Sequence, residues 1–165
     1  MTEIVSPKFL VFLDFDGVLH PVDANEHERF NPEAVSSINR ILDELDAKLV
    51  LSTAWRMDYG FDHFNAWFNG KIIGSTPVHN LDLKIEYPRF NEVINFLKLH
   101  EWICVPWISI DDKRSHFPIN SPAYITDSKI GITKKDTENI IKIGHSMKFL
   151  QQSLLSHLNE CIHTD

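Results

Sequence analysis

The chain has 165 residues, 43% of them hydrophobic and 24% charged, which is enough to bury a substantial core as a single domain over residues 1–165. Its formal net charge of −7 argues against broad electrostatic binding to nucleic acid, although a local basic groove is compatible with it. No apolar stretch reaches the length of a membrane span, and two cysteines indicate neither a disulfide framework nor a thiolate metal site. We therefore expect a cytoplasmic protein without a membrane partner.

The first predicted element is an apolar strand from about Lys8 to Phe15. Residues 9–13 are apolar without alternation, which is typical of a central strand covered on both faces. Asp14 and Asp16 follow and point the same way, because side chains repeat every second residue along an extended chain. Two like charges there are costly unless compensated, and a divalent cation with oxygen ligands is the simplest compensation. Gly17 would let the backbone turn sharply and approach a ligand closely.

Two other interpretations of this Asp-x-Asp-Gly motif need comparison. A surface turn stays open when the motif is taken alone, because these residues are ordinary turn formers. An EF-hand calcium loop requires a Glu at its twelfth position, which is Asn25 here, and the intervening residues are mostly apolar. The EF-hand interpretation is therefore not supported.

Strand and helix patterns alternate along the rest of the chain, which predicts an α/β domain with a mostly parallel sheet. Asn31-Pro32-Glu33 opens the first helix with a capping side chain, a first-turn proline and an acidic residue. Further strands are predicted at residues 48–51, 71–74, 105–110 and 123–126, and further helices begin at Arg89 and at the cap Thr133, with a break in the last one at Gly144.

Four aromatic residues between the second and third strands recur at helical spacing. We expect them to pack in the core, and a surface for stacking nucleic-acid bases is the alternative. Cys104 is also expected to be a small core residue, because the Arg that a cysteine-phosphatase loop needs six positions later is Ile110. The aromatic residues are Phe61, Phe64, Trp67 and Phe68.

Polar side chains follow three of the predicted strands. Asp14 and Asp16 follow the first, Ser52-Thr53 the second, and Asp111-Asp112 the fourth. In an open parallel sheet, ligands bind outside the carboxyl ends of the strands, where the strand order reverses. The sequence therefore predicts that these groups meet at one edge of the sheet.

This set of segments resembles the haloacid dehalogenase (HAD) superfamily of phosphotransferases. That superfamily carries Asp-x-Asp-Gly after strand one, Ser or Thr after strand two, Lys or Arg at a helix start and acidic residues after strand four. The match is closer to the HAD domains of Swiss Army Knife RNA-repair proteins, and it covers residues 8–144. The matching segments are Leu13–Pro21, Leu49–Arg56, Arg89 with Glu92–Ile94, Ile108–Asp112, and Thr126-Asp127 with Gly131–Thr133.

The resemblance implies a Rossmann-like three-layer sandwich that is capless or has a minimal cap. It also implies Mg²⁺ as cofactor, held by Asp14, the main-chain carbonyl of Asp16 and an acid from Asp111-Asp112, of which we favour Asp112 as the direct ligand. Asp14 is the candidate nucleophile, forming an aspartyl-phosphate. Asp16 would be the general acid for the leaving oxygen and then the base for water.

Phosphate contacts are expected from further residues of the same segments. Ser52 would donate a hydrogen bond to the phosphoryl oxygen, and Arg89 would clamp the phosphoryl group, with Lys84 as its competitor. Lys113 and Arg114 are candidates for contacts to a substrate backbone. Additional substrate contacts are predicted for Gly17, Thr53, Arg56 and His20, with a structural role as the alternative for His20.

The predicted activity is Mg²⁺-dependent hydrolysis of phosphomonoesters. A site without a cap accepts a macromolecular end, so phosphorylated RNA or DNA ends are the favoured substrates. One alternative is a catalytically idle domain of the same fold that binds a phosphorylated partner. Another is a metabolite or nucleotide phosphatase with a partial lid from residues 57–88.

Overall fold

The computed structural model describes residues 6–78 and 84–162, and a five-stranded sheet organises this part of the chain. The strand order is β3-β2-β1-β4-β5, and every neighbouring pair is parallel. The predicted α/β class is thus confirmed, with strand bounds that differ from the predicted ones by a few residues. The strands are β1 (Leu10–Leu13), β2 (Lys48–Leu51), β3 (Ile72–Ser75), β4 (Trp107–Asp111) and β5 (Ala123–Ile125).

Helices cover both faces of the sheet, and two of them begin at the predicted caps. The Asn31 side chain accepts a hydrogen bond from the Glu33 backbone N–H. Thr133 and Asp136 form a reciprocal capping box, in which each side chain accepts from the other residue's backbone N–H. The helices are α1 (Pro32–Glu44), α2 (Asp62–Asn65), α3 (Pro88–Leu99) and α4 (Lys134–Ile162), with 3₁₀ turns at Glu26–Glu28, Ala54–Met57, Ala66–Phe68 and Arg114–His116.

Alternate residues of the first strand enter two separate hydrophobic cores. Phe9, Val11 and Leu13 pack on the side of α1 and α4. Leu10 and Phe12 pack on the other side, against α3. All of β1 is fully buried, as the run of apolar residues without alternation predicts. The result is the expected three-layer arrangement, with β1 at its centre.

The predicted break at Gly144 is wrong, because α4 continues through this residue. A Cβ atom at position 144 would lie 2.4 Å from Cδ1 of Leu45, a fully buried side chain at the end of α1. The glycine therefore allows α4 to approach α1 closely and does not end the helix.

Three of the predicted core residues lie at the surface. Phe64 and Phe68 are buried, but Phe61 and Trp67 are 37% and 42% exposed. The segment changes from α to 3₁₀ geometry after Asn65, so a single helical period does not describe which side chains face the core. Cys104 is exposed, in the loop that leads to β4, so its predicted core position is wrong.

The strand order places a crevice between the carboxyl ends of β1 and β4. From β1 the chain moves to β2 and β3 on one side, and only then to β4 and β5 on the other. Such a reversal is where ligands bind in open α/β sheets. Every strand in the described residues belongs to this one sheet, so no second sheet covers the crevice there. Residues 79–83, part of the segment weighed as a partial lid, lie outside the description.

Within residues 6–78 and 84–162, no helix combines the length and the apolar content that crossing a membrane requires.

Candidate active site

Three carboxylates meet at the crevice between β1 and β4. One oxygen from each of Asp14, Asp111 and Asp112 lies within 4.8 Å of the other two. Asp14 and Asp111 are buried, and Asp112 is partly exposed. The sequence-based expectation that the acids after the first and fourth strands converge is therefore confirmed, and their roles stay predictions.

The electrostatics of this cluster favour a bound cation. Burial, and then the charge of Asp111, raises the pKa of Asp14 to about 7, while Arg89 opposes the shift. Burial and Asp111 also raise the pKa of Asp112. One oxygen of Asp111, Oδ1, accepts from the Lys113 backbone N–H at 2.8 Å, and Oδ2 is buried without a hydrogen-bond partner in the described residues. A divalent cation with oxygen ligands fits these residues, because it would satisfy Oδ2 and offset the repulsion.

Asp16 lies beside this cluster and is held by two donors. The buried His20 ring accepts the Phe30 backbone N–H at Nδ1, at 3.3 Å, so its proton is on Nε2. Nε2 then donates to Asp16 Oδ1 at 2.9 Å, and Trp55 Nε1 donates to Oδ2 at 3.0 Å. The hydrogen bond from His20, followed by that from Trp55, holds the pKa of Asp16 below its ordinary value against the effect of burial. Because both ring nitrogens of His20 are used inside the protein and only 2% of the side chain is exposed, the geometry disfavours its predicted substrate contact.

The carboxyl end of β2 brings Ser52 and Thr53 beside Asp14. The Ser52 backbone N–H bonds to the Leu13 carbonyl at 2.9 Å, which fixes the residue next to the end of β1. Its hydroxyl is buried and has no hydrogen-bond partner in the described part of the chain. The Thr53 hydroxyl donates a hydrogen bond to the Asp14 carboxylate and thereby opposes the rise in the pKa of Asp14. Ser52 therefore retains a free donor at the site, as the predicted phosphate contact requires.

A buried cluster of two arginines and one glutamate adds positive charge. Glu92 Oε2 accepts from Arg56 Nη2 at 2.8 Å and from Arg89 Nη1 at 3.1 Å. Arg56 also donates to the Thr53 and Thr76 carbonyls, and its side chain is 4% exposed. The structure thus uses the Arg56 guanidinium internally, which disfavours its predicted substrate contact. Glu92 holds Arg89 in place. Because one carboxylate pairs with two guanidinium groups, the cluster keeps a net positive charge.

The other predicted cations are exposed or are engaged in other hydrogen bonds. Lys84 is exposed, whereas Arg89 is largely buried and its charge acts on Asp14. This geometry favours Arg89 over Lys84 as the clamp, and the assignment stays a prediction. Lys113 is exposed directly after the acidic pair, while Arg114 donates to the Pro118 carbonyl at 2.7 Å within its own loop.

Gly17 lies against one of the acids and not in open space. Its φ is +74°, and a Cβ atom there would lie 2.5 Å from Cβ and 2.6 Å from Oδ2 of Asp112. Its carbonyl accepts a hydrogen bond from the Thr126 hydroxyl at 2.7 Å. The loop after β1 is therefore fastened to the segment after β5, and only a glycine leaves room for the acid.

Gly17→Ala is expected to weaken Mg²⁺ binding by about 10- to 100-fold, because the added methyl group would displace Asp112 and strain a positive φ. Titration calorimetry and the Mg²⁺-induced rise in Tm would measure the loss. Gly60→Ala is the matched control, because a Cβ at position 60 meets nothing within 4 Å. Equal Mg²⁺ affinity in the two variants would contradict the expectation.

Sequence reasoning missed three residues that hold this site together. Trp55 and Glu92 lie inside the matching segments, but no local pattern indicated their contacts. Trp55 bonds to a residue 39 positions away, and Glu92 pairs with one 36 positions away. Thr126 bonds to Gly17 across 109 positions. A hydrogen bond between residues so far apart depends on the fold, so no local pattern could have predicted these contacts.

Comparison with known families gives one match. The family described as "HAD domain in Swiss Army Knife RNA repair proteins" matches residues 10–137, a range that includes the whole crevice at β1 and β4. No curated protein matches the chain.

Proposed function

The chain belongs to the family of HAD domains in Swiss Army Knife RNA repair proteins, and on this premise we propose that it hydrolyses phosphomonoesters with Mg²⁺ as cofactor. One observation supports this most: two buried polar atoms without partners in the described residues, Asp111 Oδ2 and Ser52 Oγ, lie on either side of β1, the strand that leads to Asp14. Buried polar groups are nearly always satisfied, so their ligand is expected to be missing. A carboxylate calls for a cation and a hydroxyl can donate to an anion, as a metal–phosphate pair requires.

Asp14 is the proposed nucleophile. Its carboxylate oxygen would bond to phosphorus while the ester oxygen–phosphorus bond breaks, and water would then attack phosphorus to release inorganic phosphate and regenerate the carboxylate. The Phe15 backbone N–H donates to Asp14 Oδ1 at 2.8 Å and fixes the direction of the side chain. When bound, Mg²⁺ would supply positive charge that offsets the repulsion between this carboxylate and the phosphate. It would be held by Asp14, Asp111, Asp112 and the Asp16 carbonyl.

Ser52 and Arg89 would bind the transferring phosphoryl group. The unpartnered Ser52 hydroxyl is a ready donor, and Arg89 is held by Glu92 close enough to act on Asp14. Donors fixed before the reaction stabilise developing charge without having to reorganise. This supports a clamp built from the ends of β2 and α3 around the nucleophile.

Asp16 is the proposed acid and base. Fixed by His20 and Trp55, its carboxylate is in the form that activates water for the second step. In the first step it would take up a proton from solvent, against its lowered pKa, and pass it to the leaving oxygen as the ester bond breaks. We assign the terminal phosphates of RNA as the substrate, because the family occurs in RNA repair proteins and no second sheet covers the crevice in the described residues.

Removal of divalent metal is expected to abolish turnover, and Mg²⁺ to restore it. The test is a panel of sugar phosphates, nucleotides, p-nitrophenyl phosphate and oligoribonucleotides with 5′- or 3′-phosphates, assayed with EDTA and then with excess Mg²⁺. We expect the phosphate-ended oligoribonucleotides to give the highest kcat/KM. Turnover of sugar phosphates alone would reject the RNA assignment, and no turnover of any ester would favour a domain that only binds a phosphorylated partner.

A further inference from the structure

A cleft of about 290 Å³ borders Asp16. It is lined by Asp16, Arg29, Ala54, Trp55, Asp58 and Tyr59. The volume is close to the lower end of the range for small-molecule sites. In the proposed reaction the leaving oxygen faces Asp16, so the group attached to that oxygen occupies the space next to Asp16. The cleft is therefore the candidate subsite for the leaving group.

Three rings form a row that leads out from this cleft. The Trp55 ring, whose Nε1 donates a hydrogen bond to Asp16, lies near-parallel to the Tyr59 ring. Their centroids are 6.0 Å apart and their planes are inclined by 25°. Tyr59 is in turn near-parallel to His63, at 4.9 Å and 26°. The Tyr59 side chain is 43% exposed although it is large and aromatic. A base that enters the cleft can therefore join the row at the exposed part of the Tyr59 ring.

Charged groups on the cleft narrow the class of ligand. The Arg29 guanidinium lies 5.4 Å from the centre of the Trp55 ring, and Arg29 is exposed and forms no ion pair within the described residues. An exposed cation over an aromatic ring suits a phosphate of a nucleic-acid backbone next to a base. Asp58 adds a carboxylate, which can accept hydrogen bonds from sugar hydroxyls or base amino groups.

We infer that this cleft binds the nucleoside that carries the scissile phosphate, at a single-stranded nucleic-acid end, with its base stacked on Tyr59. This rests on the proposed function, because Asp16 identifies the leaving-group side. Aromatic rings stack every base, so the subsite selects a base without selecting a sequence. A base inside a duplex keeps its own stacking partner and pair, so a single-stranded end is favoured.

Removing the base from the terminal nucleotide of the substrate tests the stacking directly. The substrates are short oligoribonucleotides whose phosphate-bearing terminal nucleotide is either intact or abasic, with 5′- and 3′-phosphates as separate arms. For the wild type, removal of the base should lower kcat/KM by about 5- to 150-fold on at least one end, as expected for one stacked base. In Tyr59→Ala the same removal should change kcat/KM less than about twofold, while Tyr59→Phe, which keeps the ring, should show the wild-type ratio. Equal wild-type turnover of intact and abasic ends, or a Tyr59→Phe that behaves like Tyr59→Ala, would overturn the inference.

Equilibrium binding separates this inference from the proposed function. Dissociation constants of the same oligonucleotides for Asp14→Asn, and for Asp14→Asn with Tyr59→Ala, follow from fluorescence anisotropy without turnover. Base-dependent binding that Tyr59→Ala removes would support the subsite even if no ester were hydrolysed. Turnover of p-nitrophenyl phosphate with no base dependence in rate or binding would leave the proposed function standing and reject the subsite.

Discussion

Asp14→Asn is expected to abolish turnover of every phosphomonoester, with a loss of more than about 10³-fold in kcat. The amide has nearly the shape of the carboxylate, so the fold should persist. It cannot attack phosphorus, however, and it is a weaker partner for a cation than a carboxylate. Steady-state kinetics with p-nitrophenyl phosphate and with a phosphate-ended oligoribonucleotide would measure the effect. Undiminished turnover would contradict a covalent aspartyl route.

The same substitution should stabilise the metal-free protein near neutral pH. The pKa of Asp14 is raised from its ordinary 3.8 to about 7 in the folded state. The folded state then binds more protons than the unfolded state between these values, so the contribution of Asp14 to stability is present at low pH and is lost as the pH rises through about 7. Asp14→Asn removes the buried charge, so the variant should not lose stability as the pH rises through about 7.

Thermal melts in EDTA at about pH 5 and about pH 8 would show the effect, because the first value lies within the span of the pKa shift and the second lies above it. Wild-type Tm should fall between them, and Asp14→Asn should melt several degrees higher at the upper pH, at about 2–4 °C per kcal/mol for a chain of this size. Asp23→Asn, at an exposed aspartate, is the control and should follow the wild type. A lower Tm for Asp14→Asn at the upper pH would show that the carboxylate stabilises the fold.

The convergence of the acids could be predicted from the sequence because it follows from general properties of parallel sheets. Asp14 and Asp111-Asp112 end two strands that lie next to each other in the sheet, and carboxyl ends of parallel strands share one edge. The unbroken apolar run before Asp14 also predicted correctly that β1 is buried on both faces. Both features follow from the spacing of apolar residues and from the order of the strands along the chain.

The contacts of Arg56 and His20 within the protein could not be predicted by the same reasoning, and their substrate contacts stay predictions. Both follow strand ends, as the site residues do, which is why both were predicted to contact substrate. The 3₁₀ turn at Ala54–Met57 directs Arg56 inward to Glu92, and the turn after Gly17 buries His20 beneath Asp16. A residue that directly follows a strand lies near the carboxyl edge of the sheet. The conformation of the local turn then decides whether its side chain faces the ligand or the core.

The predicted helix break at Gly144 is wrong because a local pattern does not report tertiary packing. A glycine within a helical pattern predicts a break by propensity alone, at a cost of about 1 kcal/mol relative to Ala. Leu45, at the end of another helix, is what requires the glycine, and its proximity is a product of the fold. Tertiary packing overrides the local preference there.

Asp16→Asn is expected to lower kcat/KM by about 10²- to 10⁴-fold on a phosphate-ended oligoribonucleotide, because an alkoxide leaves poorly unless it is protonated as its bond to phosphorus breaks. The loss should be much smaller on p-nitrophenyl phosphate, because nitrophenolate leaves without a proton. The comparison uses kcat/KM, which reports the steps up to phosphoryl transfer and excludes the later attack of water. Asp23→Asn again serves as the exposed control.

A series of aryl and alkyl phosphates with graded leaving groups makes this test quantitative. In the wild type, the proposed proton transfer from Asp16 to each leaving oxygen should make log kcat/KM depend only weakly on the pKa of the leaving alcohol. In Asp16→Asn the dependence should become steep, since poor leaving groups lose the most. The donors His20 Nε2 and Trp55 Nε1 fix both oxygens of Asp16, and the amide of Asn can accept from only one of them without reorienting. A loss that is the same for all leaving groups would therefore indicate disturbed geometry around Asp16 and would reject its assignment as the general acid.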